Sequence, residues 1–265
     1  MDEIEDIEQY YQLYDEEGRL DRNQLEFEIT WKYLKEYLPK SGKILELGAA
    51  TGKYTEGLSQ MGFCVHAIDL SSNLIEQAKL RLSKITNHNA TFEVRDARDL
   101  SHIPSDSFDA VLVMGPLYHL VEKADRIHLL KECRRVLKPH GLFLSTHITR
   151  LGVFGHMLNK YPNWINQQDE INAILRTGSD SQIKRTGNFR AYFVNADEVA
   201  PEIESVGFKT KSLGALEPAI GPADEFFNKV QGEERTKWIE LLYLLSTDPS
   251  WLGASRHLVF VGYKN

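Results

Sequence analysis

The chain has 265 residues, with 31 Lys and Arg against 38 Asp and Glu and a formal charge of −7. That balance offers little to a polyanion, and 42% hydrophobic with 26% charged residues is the composition of a soluble globular protein rather than a disordered one. No run approaches the roughly 18 apolar residues of a membrane helix, the opening Met-Asp-Glu-Ile-Glu-Asp lacks the basic start of a secretory signal, and Cys64 and Cys133 have neither framework nor metal spacing. The expectation is a cytoplasmic protein with two buried thiols.

Residues 2–18 are acidic, carry Tyr10, Tyr11 and Tyr14 before Gly18, and read as a flexible or partly helical leader. Phe27, Trp31, Leu34 and Leu38 then mark one face of an amphipathic helix that Pro39 and Gly42 end. Short apolar runs follow in alternation with helical segments. Strands are expected at 44–47, 63–68, 91–94, 110–114 and 141–147, with helices after the first, second and fourth, the second capped by Ser71. This alternation predicts a doubly wound α/β sheet covered by helices on both faces. A helix at 196–205 and strands at 208–213 and 257–263 complete a count of seven strands. Two segments of about forty residues interrupt the pattern, and connections of that length are usually lids or binding elements. The second carries a helix expected over 224–245.

The strongest local signal is Ile44-Leu45-Glu46-Leu47-Gly48-Ala49-Ala50-Thr51-Gly52. A strand that runs into a glycine turn and then a helix presents backbone N–H groups to a ligand at the carboxyl end of the sheet. Asp69, 21 residues after Gly48, ends the second strand where a carboxylate can accept hydrogen bonds from ribose hydroxyls. Both nicotinamide and adenosyl cofactors fit that placement. The turn lacks the G-x-G-x-x-G of pyrophosphate binding, Glu46 would repel a pyrophosphate but attract an ammonium or sulfonium, and Asp96 closes the third strand where an adenine amino group can be read. All three features favour the adenosyl cofactor.

With Phe108-Asp109-Ala110-Val111-Leu112-Val113-Met114-Gly115-Pro116-Leu117-Tyr118-His119-Leu120 and Arg135-Val136-Leu137-Lys138-Pro139-His140-Gly141 in order behind these motifs, the chain resembles the class I S-adenosylmethionine-dependent methyltransferases of small-molecule type. The resemblance implies a Rossmann-like, mostly parallel seven-stranded sheet with an antiparallel last strand and helical lid insertions. It implies a helical cover at 1–42, a cofactor-binding core at 43–150, a substrate insertion at 151–195, and the last two strands at 196–265 around an insertion at 214–255. It also implies S-adenosyl-L-methionine as cofactor and S-adenosyl-L-homocysteine as product. Gly48, Ala49, Gly52, Tyr54, Asp69, Leu70, Asp96, Ala97, Met114 and Gly115 would line that cofactor, with Glu46 near its methionine part. Tyr11, Tyr14 and Arg19 would belong to a cover, Arg19 pairing with the methionine carboxylate or standing solvated beside the acidic leader.

His119, just after the fourth strand, is the candidate general base, with Tyr118 orienting substrate or closing over the cofactor. A packing or capping role for His119 has equal standing. Arg150, Phe154, His156, Tyr161, Trp164, Phe189, Arg190 and Tyr192 in the first insertion suit either an aromatic acceptor pocket or a lid's own core. The histidines show no zinc-protease or finger spacing, so no metal is expected. The expected activity is methyl transfer to a small-molecule acceptor, with no nucleic acid or membrane partner. An RNA or protein methyltransferase, helped by a local patch at Lys184, Arg185 and Arg190, and a non-catalytic S-adenosylmethionine-binding regulator are the alternatives.

Overall fold

The computed structural model describes residues 3–86, 88–179, 189–218 and 224–265. Three helices, α1 (Glu3–Leu13), α2 (Arg19–Arg22) and α3 (Gln24–Tyr37), lead into an alternating core. That core runs β1 (Lys43–Leu47), α4 (Lys53–Gln60), β2 (Cys64–Asp69), α5 (Ser72–Leu82), β3 (Ala90–Val94), β4 (Phe108–Val113), α6 (Pro116–His119), α7 (Lys123–Val136) and β5 (Leu137–Ile148). The first insertion supplies α8 (Gly152–Lys160), a 3-10 turn (Pro162–Asn166) and α9 (Gln168–Thr177). After it come α10 (Ala196–Glu204), β6 (Phe208–Ala215), α11 (Asp224–Phe227), α12 (Gly232–Leu245), α13 (Pro249–Leu252) and β7 (His257–Lys264).

The seven strands form one sheet in the order β3-β2-β1-β4-β5-β7-β6. Strands β1 to β5 pair in parallel, whereas β7 runs antiparallel to both β5 and β6. The expected fold class is the observed one. Strand order reverses beside β1, where the chain crosses from β3 over to β4, and the connections that leave β1 and β4 lead to helices on opposite faces, the arrangement beside which such sheets bind ligands.

Apolar side chains alternate between the two faces of the sheet, so two cores form. Leu45, Leu47, Val111, Val113 and Phe143 face α7 and α10, and Phe143 stacks on Phe208 at 4.4 Å between ring centres. Ile44, Ala110, Leu112, Val259 and Val261 face α3, α4 and α12.

Several local expectations are corrected. The face that α3 buries most deeply is Leu25, Ile29, Tyr33 and Leu34, while Phe27 and Trp31 are half-buried against Tyr54. Two helical faces are thus in use, one on the sheet and one on α4, and a single-stripe reading finds only one. The helix expected over 224–245 is two, because the Arg235 guanidinium folds back onto the carbonyls of Phe227 and Val230 and closes α11 before α12 begins. Strand β5 starts at Leu137 rather than 141: it passes through an irregularity in its pairing with β4, with His140 at φ +61°. Cys133 is buried, but Cys64 is exposed, because it opens β2 on the face opposite Val65.

Candidate active site

The glycine turn is held from three sides. The N–H groups of Gly48 and Ala49 both donate to the Ile68 carbonyl, at 2.9 and 3.1 Å, and Met114 N–H donates to the Leu47 carbonyl at 2.8 Å. Gly48, Ala50 and Gly52 have φ of +76°, +49° and +76°, left-handed backbone that turns the chain sharply out of β1. A Cβ on Gly48 would stand 2.5 Å from the Pro116 ring, so only glycine lets the turn close against the start of α6.

Asp69 ties this turn to the next strand end. One carboxylate oxygen accepts from Ala50 N–H at 2.8 Å and the other from Ser71 N–H at 2.9 Å. Burial pushes its carboxyl up to about 6, against the pull of those two N–H donors. Glu46 lies behind the turn, fully buried, taking a hydrogen bond from the Thr55 hydroxyl at 2.6 Å, while its Oε1 has no partner. Burial, with Asp69 nearby, pushes Glu46 up to about 8, outweighing the Thr55 hydrogen bond. In the ligand-free protein at pH 7 this side chain is therefore mainly the neutral acid, which corrects the anion expected from sequence.

A cleft, open at its mouth, lies over the turn. It gathers Arg19, Gly48, Ala49, Tyr54, Asp69, Leu70, Asp96, Ala97, Met114, Gly115, Tyr118 and His119, drawn from α2, the ends of β1 to β4 and the starts of α4 and α6. Three expected residues stand outside its lining. Glu46 is beneath the turn, Gly52 is turned toward Ala78 of α5, and Tyr14 faces a neighbouring cleft. The carboxylate of Asp96 is already engaged by the Arg98 guanidinium at 2.6 Å. Arg19 is likewise committed: its Nε donates to Glu16 at 2.7 Å and its Nη1 to Glu26 at 2.8 Å. Burial opposes its charge, but those two carboxylates hold the guanidinium firmly cationic. Arg19 is thus paired with two carboxylates rather than standing solvated.

His119 is buried. Its Nδ1 lies 2.9 Å from the Arg190 carbonyl, which only accepts, so Nδ1 carries the proton and Nε2 accepts from the Tyr11 hydroxyl at 2.7 Å. Burial pushes His119 down to about 4, only partly opposed by the Arg190 carbonyl. A weakly basic imidazole whose lone pair is taken suits an anchor for α1 better than a general base. Sequence reasoning assigned no role to Ile7, Glu8, Glu16 or Arg98 of this lining. Their only signal was membership of a leader and a loop, whose position depends on packing.

A family profile for a methyltransferase domain matches residues 44–141. Residues 44–141 form a methyltransferase domain. Within curated proteins the chain is similar to the ubiquinone biosynthesis O-methyltransferase of Xanthomonas axonopodis pv. citri, 34% identical over 109 residues, or 41% of this chain and 44% of that one. The chain spans less than half the length of the curated relatives it matches. Among solved structures, a SAM-dependent methyltransferase from Methanosarcina mazei shares the fold at a TM-score of 0.59 and 18% identity, covering 88% of this chain and 96% of that one. Phosphoethanolamine N-methyltransferase 2 of Haemonchus contortus, solved with S-adenosyl-L-methionine, does so at 0.55 and 18%, covering 90% and 52%.

S-adenosyl-L-methionine is the ligand of the Haemonchus contortus structure. The residues present fit it: a left-handed glycine turn whose start lines the cleft, and a carboxylate at the end of β2. A second, larger cleft adjoins the first, between the N-terminal leader and the first insertion. Tyr10, Tyr14, His156, Tyr161, Trp164 and Phe189 are among its walls, and Tyr10 stacks on Tyr14 at 5.1 Å. Phe154 instead packs against Trp164 in the insertion's own small core. Arg150 and Tyr192 stay outside both clefts, on Glu198, and the Arg190 side chain lines neither. Lys184 and Arg185 lie outside the described residues. The second cleft ends on a buried ionic cluster in which the His257 ring contacts Glu217 at 2.6 Å and Arg256 contacts His156 at 2.8 Å. Tyr11, Glu16, Arg19 and Tyr118 line both clefts and so mark where they meet.

Proposed function

We propose that the protein is an S-adenosylmethionine-dependent methyltransferase that acts in the cytoplasm on a small-molecule acceptor. The observation that carries this reading is the junction of the two clefts at Tyr11, Glu16, Arg19 and Tyr118, which joins the cleft over the glycine turn to an aromatic-walled one. In this reading Gly48, Ala49, Asp69, Leu70, Ala97 and Met114 hold the cofactor, Asp69 taking the ribose hydroxyls. The bound cofactor supplies an electrophilic methyl group on a sulfonium leaving group.

The protein's part is alignment and exclusion of water. Holding a nucleophile in line can contribute roughly 7 to 11 kcal/mol. Tyr118, rigidly placed after Gly115, and Tyr11, anchored through His119, are positioned to clamp the acceptor at the junction. The buried Glu16 carboxylate beside Arg19 offers a hydrogen-bond acceptor to a hydroxyl or amine there.

Calorimetric titration with S-adenosylmethionine, S-adenosylhomocysteine and NAD tests the reading. Micromolar binding of both adenosyl ligands and none of NAD is expected, followed by turnover in an acceptor screen. Binding of NAD alone would overturn it.

A further inference from the structure

Away from both clefts, the outer edge of the sheet brings together three metal-ligating side chains that no sequence spacing relates. Strand β2 pairs with β3 so that His66 stands opposite Thr91 and Ile68 opposite Glu93. His66, Thr91 and Glu93 therefore project from the same sheet face, Glu93 one step diagonally from His66. The segment after β3 folds back and adds His102. Nε2 of His66 and Nε2 of His102 each lie 3.1 Å from the same oxygen, Oε2 of Glu93. All three ligand atoms fall within 4.8 Å of one another.

We propose that His66, Glu93 and His102 form a binding site for a divalent transition-metal ion of the zinc type. In a tetrahedral site with bonds of about 2.0 to 2.1 Å, neighbouring ligand atoms are about 3.4 Å apart. Here two of the three separations are 3.1 Å, close to that spacing. Two imidazoles and one carboxylate are a donor set suited to zinc and its neighbours, not to magnesium or calcium.

The supporting contacts are also those of a metal site. Nδ1 of His66 lies 2.8 Å from the Thr91 hydroxyl, which both donates and accepts, so the ring can give up its Nε2 proton and keep its second hydrogen bond. The other carboxylate oxygen, Oε1 of Glu93, is held by the Arg95 guanidinium, leaving Oε2 to the imidazoles. The His66 ring lies nearly parallel to Phe108, 14° between planes, which fixes its direction. With the His102 side chain 37% exposed, solvent can supply a fourth ligand.

In a second trio, Glu26, Glu217 and His257, the ligand atoms also lie within 4.8 Å of one another. Arg19 and Arg256 already stand against those carboxylates and supply the positive charge an ion would bring. Of the two trios among the described residues, the surface one is the candidate.

The test is calorimetric titration of the chelator-stripped protein with zinc chloride, with melting curves alongside. One equivalent should bind and raise the melting temperature, since a ligand that binds only the folded state stabilises it. His102→Ala removes an exposed side chain with little risk to folding and should weaken binding at least tenfold and abolish the thermal shift. His66→Ala should do the same, and His140→Ala should behave as the parent. Absence of one-equivalent binding, or unchanged affinity in the His102→Ala protein, would overturn the proposal.

Discussion

Asp69 shows how a single side chain can be both scaffold and ligand-binding group. Its carboxylate receives the N–H groups of Ala50 and Ser71, and so bridges the glycine turn and the start of α5. Removing it deletes a charged acceptor for the ribose and also strands two backbone donors. Asp69→Ala should weaken S-adenosylhomocysteine binding by about 1.5 to 3 kcal/mol, roughly ten- to 150-fold, and lower the melting temperature as well. Asp69→Asn, which keeps an acceptor oxygen, should lose less of both. Calorimetry on the two variants decides it, and unchanged affinity in the alanine protein would remove the ribose role. Asp69 was legible in sequence because its function depends on a local pattern, the last residue of a strand about twenty positions after the turn. Glu16 was not. It sits in an acidic leader where nothing local separates it from Glu17, yet packing buries Glu16 and leaves Glu17 half exposed.

At the level of elements, strands and their helices were legible because each has its own periodicity: two residues for the strands, near four for α5 and α7. Helix α1 was only half legible, since its value lies in what it covers. It places Ile7, Glu8 and Tyr11 over the first cleft and is pinned by the bond from Tyr11 to His119. One hydrogen bond of this kind contributes about 0.5 to 1.5 kcal/mol, so Tyr11→Phe and His119→Ala should each speed amide hydrogen exchange in α1 about two- to tenfold. The double variant should be no faster than either single one, because both remove the same contact. Additive effects would show that the two rings hold α1 separately. The candidate metal site was illegible for an element-level reason: its ligands meet through the pairing register of β2 with β3 and the return of a loop.

The whole molecule sets the electrostatic cost of its own site. Glu46 ordinarily titrates near 4.5 but is pushed up to about 8 by burial between the sheet and α4. A carboxyl raised by folding favours the folded state most fully below its unfolded value, and that advantage is lost as pH rises through about 8. The parent protein should therefore lose stability between about pH 5 and 8 through this group, on the order of a few kcal/mol in all. Glu46→Gln, neutral throughout, should flatten that part of the profile, as denaturant unfolding at several pH values would reveal. Parallel profiles would clear Glu46 of the effect.

The methyltransferase domain could be read along the chain because its motifs are contiguous: strand, glycine turn, helix, and an acidic residue at the next two strand ends. Their chemistry depends on neighbours a few residues away, and backbone stereochemistry transmits that directly. The charge state of Glu46, the pairing of Arg19, the anchoring role of His119, the junction of the clefts and the His66–Glu93–His102 cluster have a different origin. Each depends on burial or on contact between distant segments. Dielectric surroundings and side-chain separations are properties of the packed chain, and they exist only once sheet, leader and insertions have come together.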